Sequence, residues 1–477
     1  MTLRTRSAAL AVVPGVLASC VLCVWGGPAG GAGQAPAPVP RNIIVMIGDG
    51  CGYNHFAAAD LYQYGVTGQQ VYESFPVRLG VTTYSTSGRA GYNPHRAWRN
   101  LDYLKEGATD SAAAATALAC GVKTYNGAIG VVLPEGGAAP ADVRPVENIL
   151  ERAEKHGKAT GVVTSAELSH ATPAGFVAHT ASRGDYVEIA NQMIAQSACE
   201  VVMGCGHPLY NTGGVRRPEE ELPEKAYQWL GGKGLWDQVV AGTAGADADG
   251  DGTPDPWTLA QSRADFERLS YVAPPKRLLG IPLSGTTLNQ DRPGEALAAP
   301  YEVPRNQNVP TLAEMTRAAL NALSADPDGF VVMIEGGAID WAAHGGQLGR
   351  TIEEVVDFSR AVEAVTDWVS HHGGWDDTLV IVTADHETGC LTGPDTTEAD
   401  PWPELVSNGP GAMPGAAWHS GGHTNSLVPV LANGTGSELL SGKAKRTDPR
   451  RGPYIDNTDI AHALFELLGS IGSGRED

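Results

Sequence analysis

The stretch Asn42–Gly50, NIIVMIGDG, is a short continuous apolar run that stops on an aspartate held between glycines. A strand with one wet face would alternate polar and apolar residues. An unbroken β-branched run instead indicates a strand buried on both faces of a parallel sheet. Three more runs read the same way: ATGVVTSAEL from Ala159, GFVVMIEGG from Gly329 and DTLVIVTADHETG from Asp377. Helical periodicity lies between and after them, in TLAEMTRAALNALS from Thr311 and RTIEEVVDFSRAVEAVTDWVSHH from Arg350. Strands alternating with helices predict an α/β sheet with helices on both faces. No internal repeat is present.

Three of the runs end on carboxylates, Asp49, Glu335 and Asp385, and the fourth leads into ELSHATPAG. Ligands of open α/β sheets bind beyond the carboxyl ends of the strands, so these four ends predict one shared site. The catalytic domain is expected over 41–470. Within it, about 207–304 is rich in Gly, Pro and acid with weak periodicity, which reads as an insertion beside the sheet. WHSGGHTNSLVPV then returns to the site before a last helix, DIAHALFELLG.

The 477 residues are 42% hydrophobic and 18% charged, which supports a large core and excludes a disordered chain. A net charge of -21 argues against a nucleic-acid partner and suits a protein holding several divalent cations. Residues 1–35 read as an export signal and linker: Arg4 and Arg6, an apolar stretch from Ala8 to Trp25, then small residues, with cleavage expected between Ala29 and Ala35. The same segment holds LASC, ending at Cys20, which also fits a lipoprotein anchor. The expected location is secreted, periplasmic or cell-surface. No later segment is apolar for long enough to span a bilayer. Of the cysteines beyond the signal, Cys199 and Cys205 are close enough in sequence to bridge; Cys51, Cys120 and Cys390 have no obvious partner, and none has zinc-thiolate spacing.

The metal-ligand inventory is rich. EGGAIDWAAHGG places Asp340 and His344 four apart on one helix face, TADHETG gives Asp385 and His386 at a strand end, and GGHTN gives His423 in a glycine-flanked loop. Imidazole and carboxylate without thiolate suit zinc, whereas the all-oxygen pair Thr172 and Glu335 suits magnesium. Singly, each has a bland reading: an Asp–His hydrogen bond, or a strand-end aspartate capping a helix. TDSAAAATALACGVKTYNG, Thr109–Gly127, adds a serine behind an aspartate at a helix start, with no histidine near it in sequence. Alone, Ser111 would be an ordinary helix cap.

The motifs IGDG, TDSAAAATALACGVKTYNGAIGV, ATPAGFVAHTASR, EGGAIDWAAH, TADHETG and GGHTN, in this order from about Arg41 to Asn425, make the chain resemble the alkaline phosphatases, metal-dependent phosphomonoesterases. The resemblance implies a three-layer α/β sandwich with a large, mostly parallel central sheet. It also implies an exported enzyme, commonly a homodimer, acting on small phosphate monoesters with two zinc ions and one magnesium ion. It casts Ser111 as the nucleophile that becomes phosphorylated. Asp49, Asp385 and His386 would hold the zinc at its oxygen. Asp340, His344 and His423 would hold the zinc on the leaving-group side. Asp49, Thr172 and Glu335 would hold magnesium. Arg183 would clamp two phosphate oxygens, with Asp110 orienting it. Zinc coordination favours the serine alkoxide, so no histidine base is required.

His170 stands where the best-known bacterial form has aspartate, and Trp341 where it has lysine. Both are expected beside the bound phosphate. His170 is read either as a hydrogen-bonded neighbour or as a nitrogen that lets zinc compete for the magnesium site. The rival activities are diester or dedicated metabolite hydrolysis in the same superfamily, and a non-catalytic metal- or phosphate-binding protein. Finally, DADGDGTPD in the insertion spaces Asp247, Asp249, Asp251 and Asp255 like an EF-hand calcium loop, but Thr258 stands where its bidentate glutamate belongs. Calcium and a solvated acidic turn are both open.

Overall fold

A computed structural model describes residues 39–88, 91–134 and 142–469. The expected signal over 1–35 and the anchor reading of Cys20 lie outside the described residues. The sheet has eleven strands: β1 Asn42–Gly48, β2 Val77–Thr82, β3 Ala159–Glu167, β4 Val201–Cys205, β5 Thr258–Ala260, β6 Leu278–Gly280, β7 Phe330–Gly336, β8 Thr378–Thr383, β9 Val428–Asn433, β10 Arg446–Asp448 and β11 Gly452–Asp456. Their order is β10-β11-β2-β9-β8-β1-β7-β3-β4-β6-β5. All run parallel to β1 except β9 and β10.

The four apolar runs are the four central strands, β8, β1, β7 and β3, and every residue in them is buried. Burial on both faces is what their lack of alternation demands. The helices that cover them include α1 Tyr53–Tyr64, α2 Ser111–Cys120, α3 Ile149–Glu154, α4 Ala171–Val177, α5 Leu312–Leu323, α6 Ala338–His344, α7 Leu348–His371 and α8 Thr458–Gly469. One set, α1, α5, α6 and α7, packs together. A second, α2, α3, α4 and α8, forms another layer. Thr311 and Glu314 close a capping box at the start of α5.

Two expectations are corrected. The segment 207–304 does not lie wholly beside the sheet: β5 and β6, three residues each, extend its edge in parallel with β4. Strands this short show no period, so the surrounding Gly and Pro dominate the reading. Cys199 and Cys205 are not bridged. Cys199 faces Glu154 and Cys205 faces the Ser165 carbonyl, because the intervening β4 is extended and holds its ends apart.

Candidate metal centre and nucleophile

The register of the central strands assembles the site. Ile47 of β1 lies opposite Glu335 on one side and Thr383 on the other, so Asp49, Glu335 and Asp385 emerge level at the carboxyl ends. Thr164 of β3 pairs with Glu335, and its hydroxyl donates to Glu335 Oε2 at 2.5 Å. The chain turns after Asp49 through Gly50 at φ 70; a Cβ there would meet Asp340 and Thr388. Gly50 N–H donates to Asp385 Oδ1 at 3.0 Å, tying the two strand ends together.

Ser111 is the first residue of α2. Its cap, Asp110, accepts from Ala113 N–H through Oδ1, while Oδ2 accepts from Gly127 N–H and from Arg183 Nη1 at 3.1 Å. One carboxylate therefore starts the nucleophile helix and orients the arginine. Arg183 also donates through Nη2 to His170 Nε2, 3.2 Å away. Burial, reinforced by Arg183, holds His170 down at about 3, so it stays neutral and can accept. Trp341 stands edge-on to His170 at 5.9 Å, completing a chain from tryptophan through histidine to the guanidinium. His170 Nε2 is thus committed to Arg183, which supports the hydrogen-bonded reading of this residue.

Although no histidine is near Ser111 in sequence, the fold places His386 Nε2 3.2 Å from its Oγ. The same nitrogen is 3.2 Å from Asp385 Oδ2 and 3.6 Å from Asp49 Oδ1. Both oxygens of Asp49, and Asp385 Oδ2, are buried without a hydrogen-bond partner. Burial and the neighbouring carboxylates push Asp49 well above the usual range and Asp385 up to about 8.

The second group is built on α6 and the loop before β9. His344 Nδ1 lies 2.7 Å from the Gly421 carbonyl, and His423 Nδ1 lies 2.8 Å from the Thr109 carbonyl. A carbonyl only accepts, so both Nδ1 atoms carry hydrogen and donate. Their Nε2 atoms then face each other at 3.0 Å, and face Asp340 oxygens at 3.3 and 3.5 Å. Lone pairs converging on one point with their Nδ1–H groups fixed by carbonyls form a metal-ligand arrangement. Without an ion a proton must serve there, and Asp340 beside His344 pushes that histidine up to about 9.

The third group is all oxygen. Thr172 Oγ1 and Glu335 Oε1 are buried without a hydrogen-bond partner, and Glu335 acts electrostatically on Asp49, which suits a hard cation. The donor sets thus fit the expected ions: one nitrogen with two carboxylates, two nitrogens with one carboxylate, and oxygen alone. Exposure rises across the site, from Asp49 and Glu335 at 0% to the half-open His344 at 39% for its side chain. The site is therefore most open on the His344 side.

One contributor was not singled out from the sequence. Thr388 Oγ1 donates to Asp340 Oδ1 at 2.5 Å and sits 3.3 Å from His386 Nδ1, joining the two nitrogen-bearing groups. The polar residue two beyond the histidine of TADHETG was its only signal. Thr388→Val should weaken divalent-ion affinity about 10–100-fold, measured by competition with a chromogenic chelator. Unchanged affinity would remove Thr388 from the centre.

In the insertion, Asp247, Asp249 and Asp251 come together at the surface. Asp255 does not join them: its Oδ1 pairs with Lys276 at 2.5 Å and its Oδ2 accepts from Ala248 N–H. Lys276 also holds Asp249 at 2.6 Å, so an ammonium already supplies the counter-charge. Position twelve, Thr258, begins β5 and not a helix. Three of the four expected carboxylates thus gather, without the bidentate glutamate or the following helix of an EF-hand.

The chain belongs to the alkaline phosphatases, whose family model, described as "Alkaline phosphatase", matches residues 40–408. The chain is 31% identical to "Alkaline phosphatase" of Escherichia fergusonii, covering 86% of this chain and 84% of that one. It is 32% identical to "Alkaline phosphatase H" of Pseudomonas aeruginosa, covering 86% and 83%. Among solved structures it is similar to alkaline phosphatase from the Antarctic bacterium TAB5, with TM-score 0.60, 25% identity and 91% and 99% coverage. A variant of that enzyme was solved with magnesium bound in its M3 site. No helix among the described residues is long and apolar enough to cross a membrane.

Proposed function

We propose that the chain is an exported phosphomonoesterase that passes phosphate from a monoester to Ser111 and then to water. The observation that carries this reading is the position of Ser111 Oγ, 3.2 Å from a histidine nitrogen whose other neighbours are carboxylates, with the Arg183 fork nearby. Asp49, Asp385 and His386 would hold one zinc, Asp340, His344 and His423 a second, and Asp49, Thr172 and Glu335 magnesium. When bound, these ions stabilise negative charge on the attacking and leaving oxygens and on the hydrolytic water.

The chain's own groups do the rest. Asp110 and His170 fix the plane of the Arg183 guanidinium, so its paired N–H donors can receive two phosphate oxygens at once. Ser111 at the start of α2 attacks where backbone amides favour negative charge. Its Oγ–P bond forms as the ester P–O bond breaks; water then cleaves Oγ–P and releases inorganic phosphate. The alcohol leaves on the open His344 side, which places little steric demand on it and favours a broad range of monoesters.

Hydrolysis of a chromogenic monoester and diester, side by side, tests the assignment. Wild type should prefer the monoester. Arg183→Lys keeps the charge but loses the fork, so kcat/KM on the monoester and inhibition by phosphate should each fall by about tenfold or more, with the diester much less affected. Equal losses on both substrates would contradict the clamp. Export is tested by the mass of the protein collected outside the cytoplasm: a mature chain beginning between Ala29 and Ala35 is expected, whereas lipid on Cys20 would mark an anchored form.

A further inference from the structure

Away from the metal centre, the turn between β10 and β11 carries two consecutive arginines, Arg450 and Arg451. Their backbone N–H groups both donate to Asp448 Oδ1 at 2.9 Å. Asp448 is buried, and it also accepts from Trp98 Nε1 at 3.0 Å and Tyr92 Oη at 2.9 Å. That carboxylate is thus committed to four donors other than the two guanidinium groups. Neither guanidinium forms an ion pair among the described residues. Instead Arg451 lies over the Tyr53 ring at 3.9 Å and near Trp98 at 5.5 Å, and Arg450 lies over Trp98 at 4.7 Å. Trp98 meets Trp402 edge-to-face at 5.4 Å. Stacking holds a guanidinium by its faces; Arg450 also donates through Nη1 to the Trp402 carbonyl at 3.5 Å, whereas the Arg451 guanidinium is held by its faces alone and keeps its in-plane N–H donors available.

Those donors border a cleft of about 670 Å³ lined by Trp98, Trp402, Arg450 and Arg451, with Glu73 and Glu404 also on its wall. A narrow slot continues inward from the shared residues Tyr53, Trp98 and Arg451 to Glu387 and Leu391. Glu387 belongs to the short ribbon Glu387–Thr388 paired with His423–Thr424. Side chains alternate along a strand, so Glu387 and Thr424, hydrogen-bonded at 2.5 Å, face away from the metal centre while Thr388 and His423 face it. The cleft therefore lies behind the phosphate-transfer site and not within it.

We propose that this cleft is a second ligand site, for a small aromatic carboxylate. Planar N–H pairs match a carboxylate bidentately, and the indoles supply a surface for a flat ring. Two acidic side chains on the wall disfavour a dianion, which selects against phosphate monoesters. In a protein of net charge -21, the Arg451 guanidinium lies against Tyr53 and Trp98 with no ion pair of its own among the described residues.

The test uses 1-naphthoate as probe, titrated calorimetrically into metal-loaded full-length protein already saturated with inorganic phosphate. Because the transfer site is filled throughout, the result is independent of the role of Ser111. One site is expected, weakened at least tenfold by Arg451→Met and by Trp402→Ala, while monoester turnover and melting temperature of Arg451→Met stay at wild-type values. If Arg451→Met melts early, Arg450→Gln with Trp402→Ala carries the same comparison. Absence of binding heat, displacement of the probe by raising phosphate, or equal affinity in wild type and folded variants would each overturn the proposal.

Discussion

Ser111→Ala is expected to lower turnover by on the order of 10³-fold or more while leaving fold and metal content intact. The hydroxyl is 2% exposed and 3.2 Å from His386 Nε2, and its removal opens no large cavity. Three side chains other than Ser111 make up each proposed ligand set, so divalent-ion content should be kept without the hydroxyl. Some activity should survive, because Arg183 and the ions still bind and polarise the ester, and water can attack in place of the serine. Wild type quenched in acid during turnover should carry phosphate on Ser111, and the alanine variant none. Label on another residue, or wild-type rates in the variant, would show that the serine is only the first residue of α2 and not the nucleophile. Asp110 makes these readings separable: its side chain already accepts the Ala113 N–H, so the capping task is filled without Ser111.

The central strands were legible because burial on both faces leaves a composition signal that survives without context: NIIVMIG, ATGVVTSAE, FVVMIEG and TLVIVT need no neighbour to be read. The helix of Asp340 and His344 was legible for a related reason, since a spacing of four fixes a shared face. The outer strands were not. β5 and β6 offer three residues each, too few for any period; β6 is a strand because β4 presents an edge to it, and β5 because β6 does so in turn. The residues of the proposed ligand sets were visible as residue type, but their orientation was not. The carbonyls of Gly421 and Thr109 that set the histidine tautomers belong to the backbone and have no side-chain signature. The bonds from Asp110 and His170 that orient Arg183 likewise depend on long-range approach.

Chelation should abolish activity, lower the melting temperature by on the order of 10 °C, and make stability fall as pH rises from about 6.5 to 8. Asp49, Glu335, Asp340 and Asp385 converge in a buried site around one arginine, so removing divalent cations leaves negative charge poorly compensated. In the metal-free protein, burial with the neighbouring carboxylates raises Asp385 to about 8, and burial raises Glu335 to about 7. Asp340 raises His344 to about 9. A group whose pKa is higher in the folded state binds more protons there than when unfolded, so its stabilisation is lost as pH rises through the folded value. Burial acts oppositely on His55 and His170, held at about 4 and about 3, but their effect is confined below the ordinary histidine value near 6.5. Above that pH the raised groups act alone and in one direction. Zinc and magnesium should reverse the trend for Asp49, Asp385, Glu335 and His344, since ligands bind a cation in their deprotonated form. Glu167 and Glu354, both buried and raised to about 8, lie outside the proposed ligand sets and should add the same downward slope to both forms, so the gap between the curves isolates the ligand groups. The measurement is a pair of melting curves across pH 6.5 to 8, one with chelator and one with both ions. A gap that widens with pH supports a buried carboxylate–imidazole metal centre, and parallel curves would mean that these residues hold protons and hydrogen bonds but no ion.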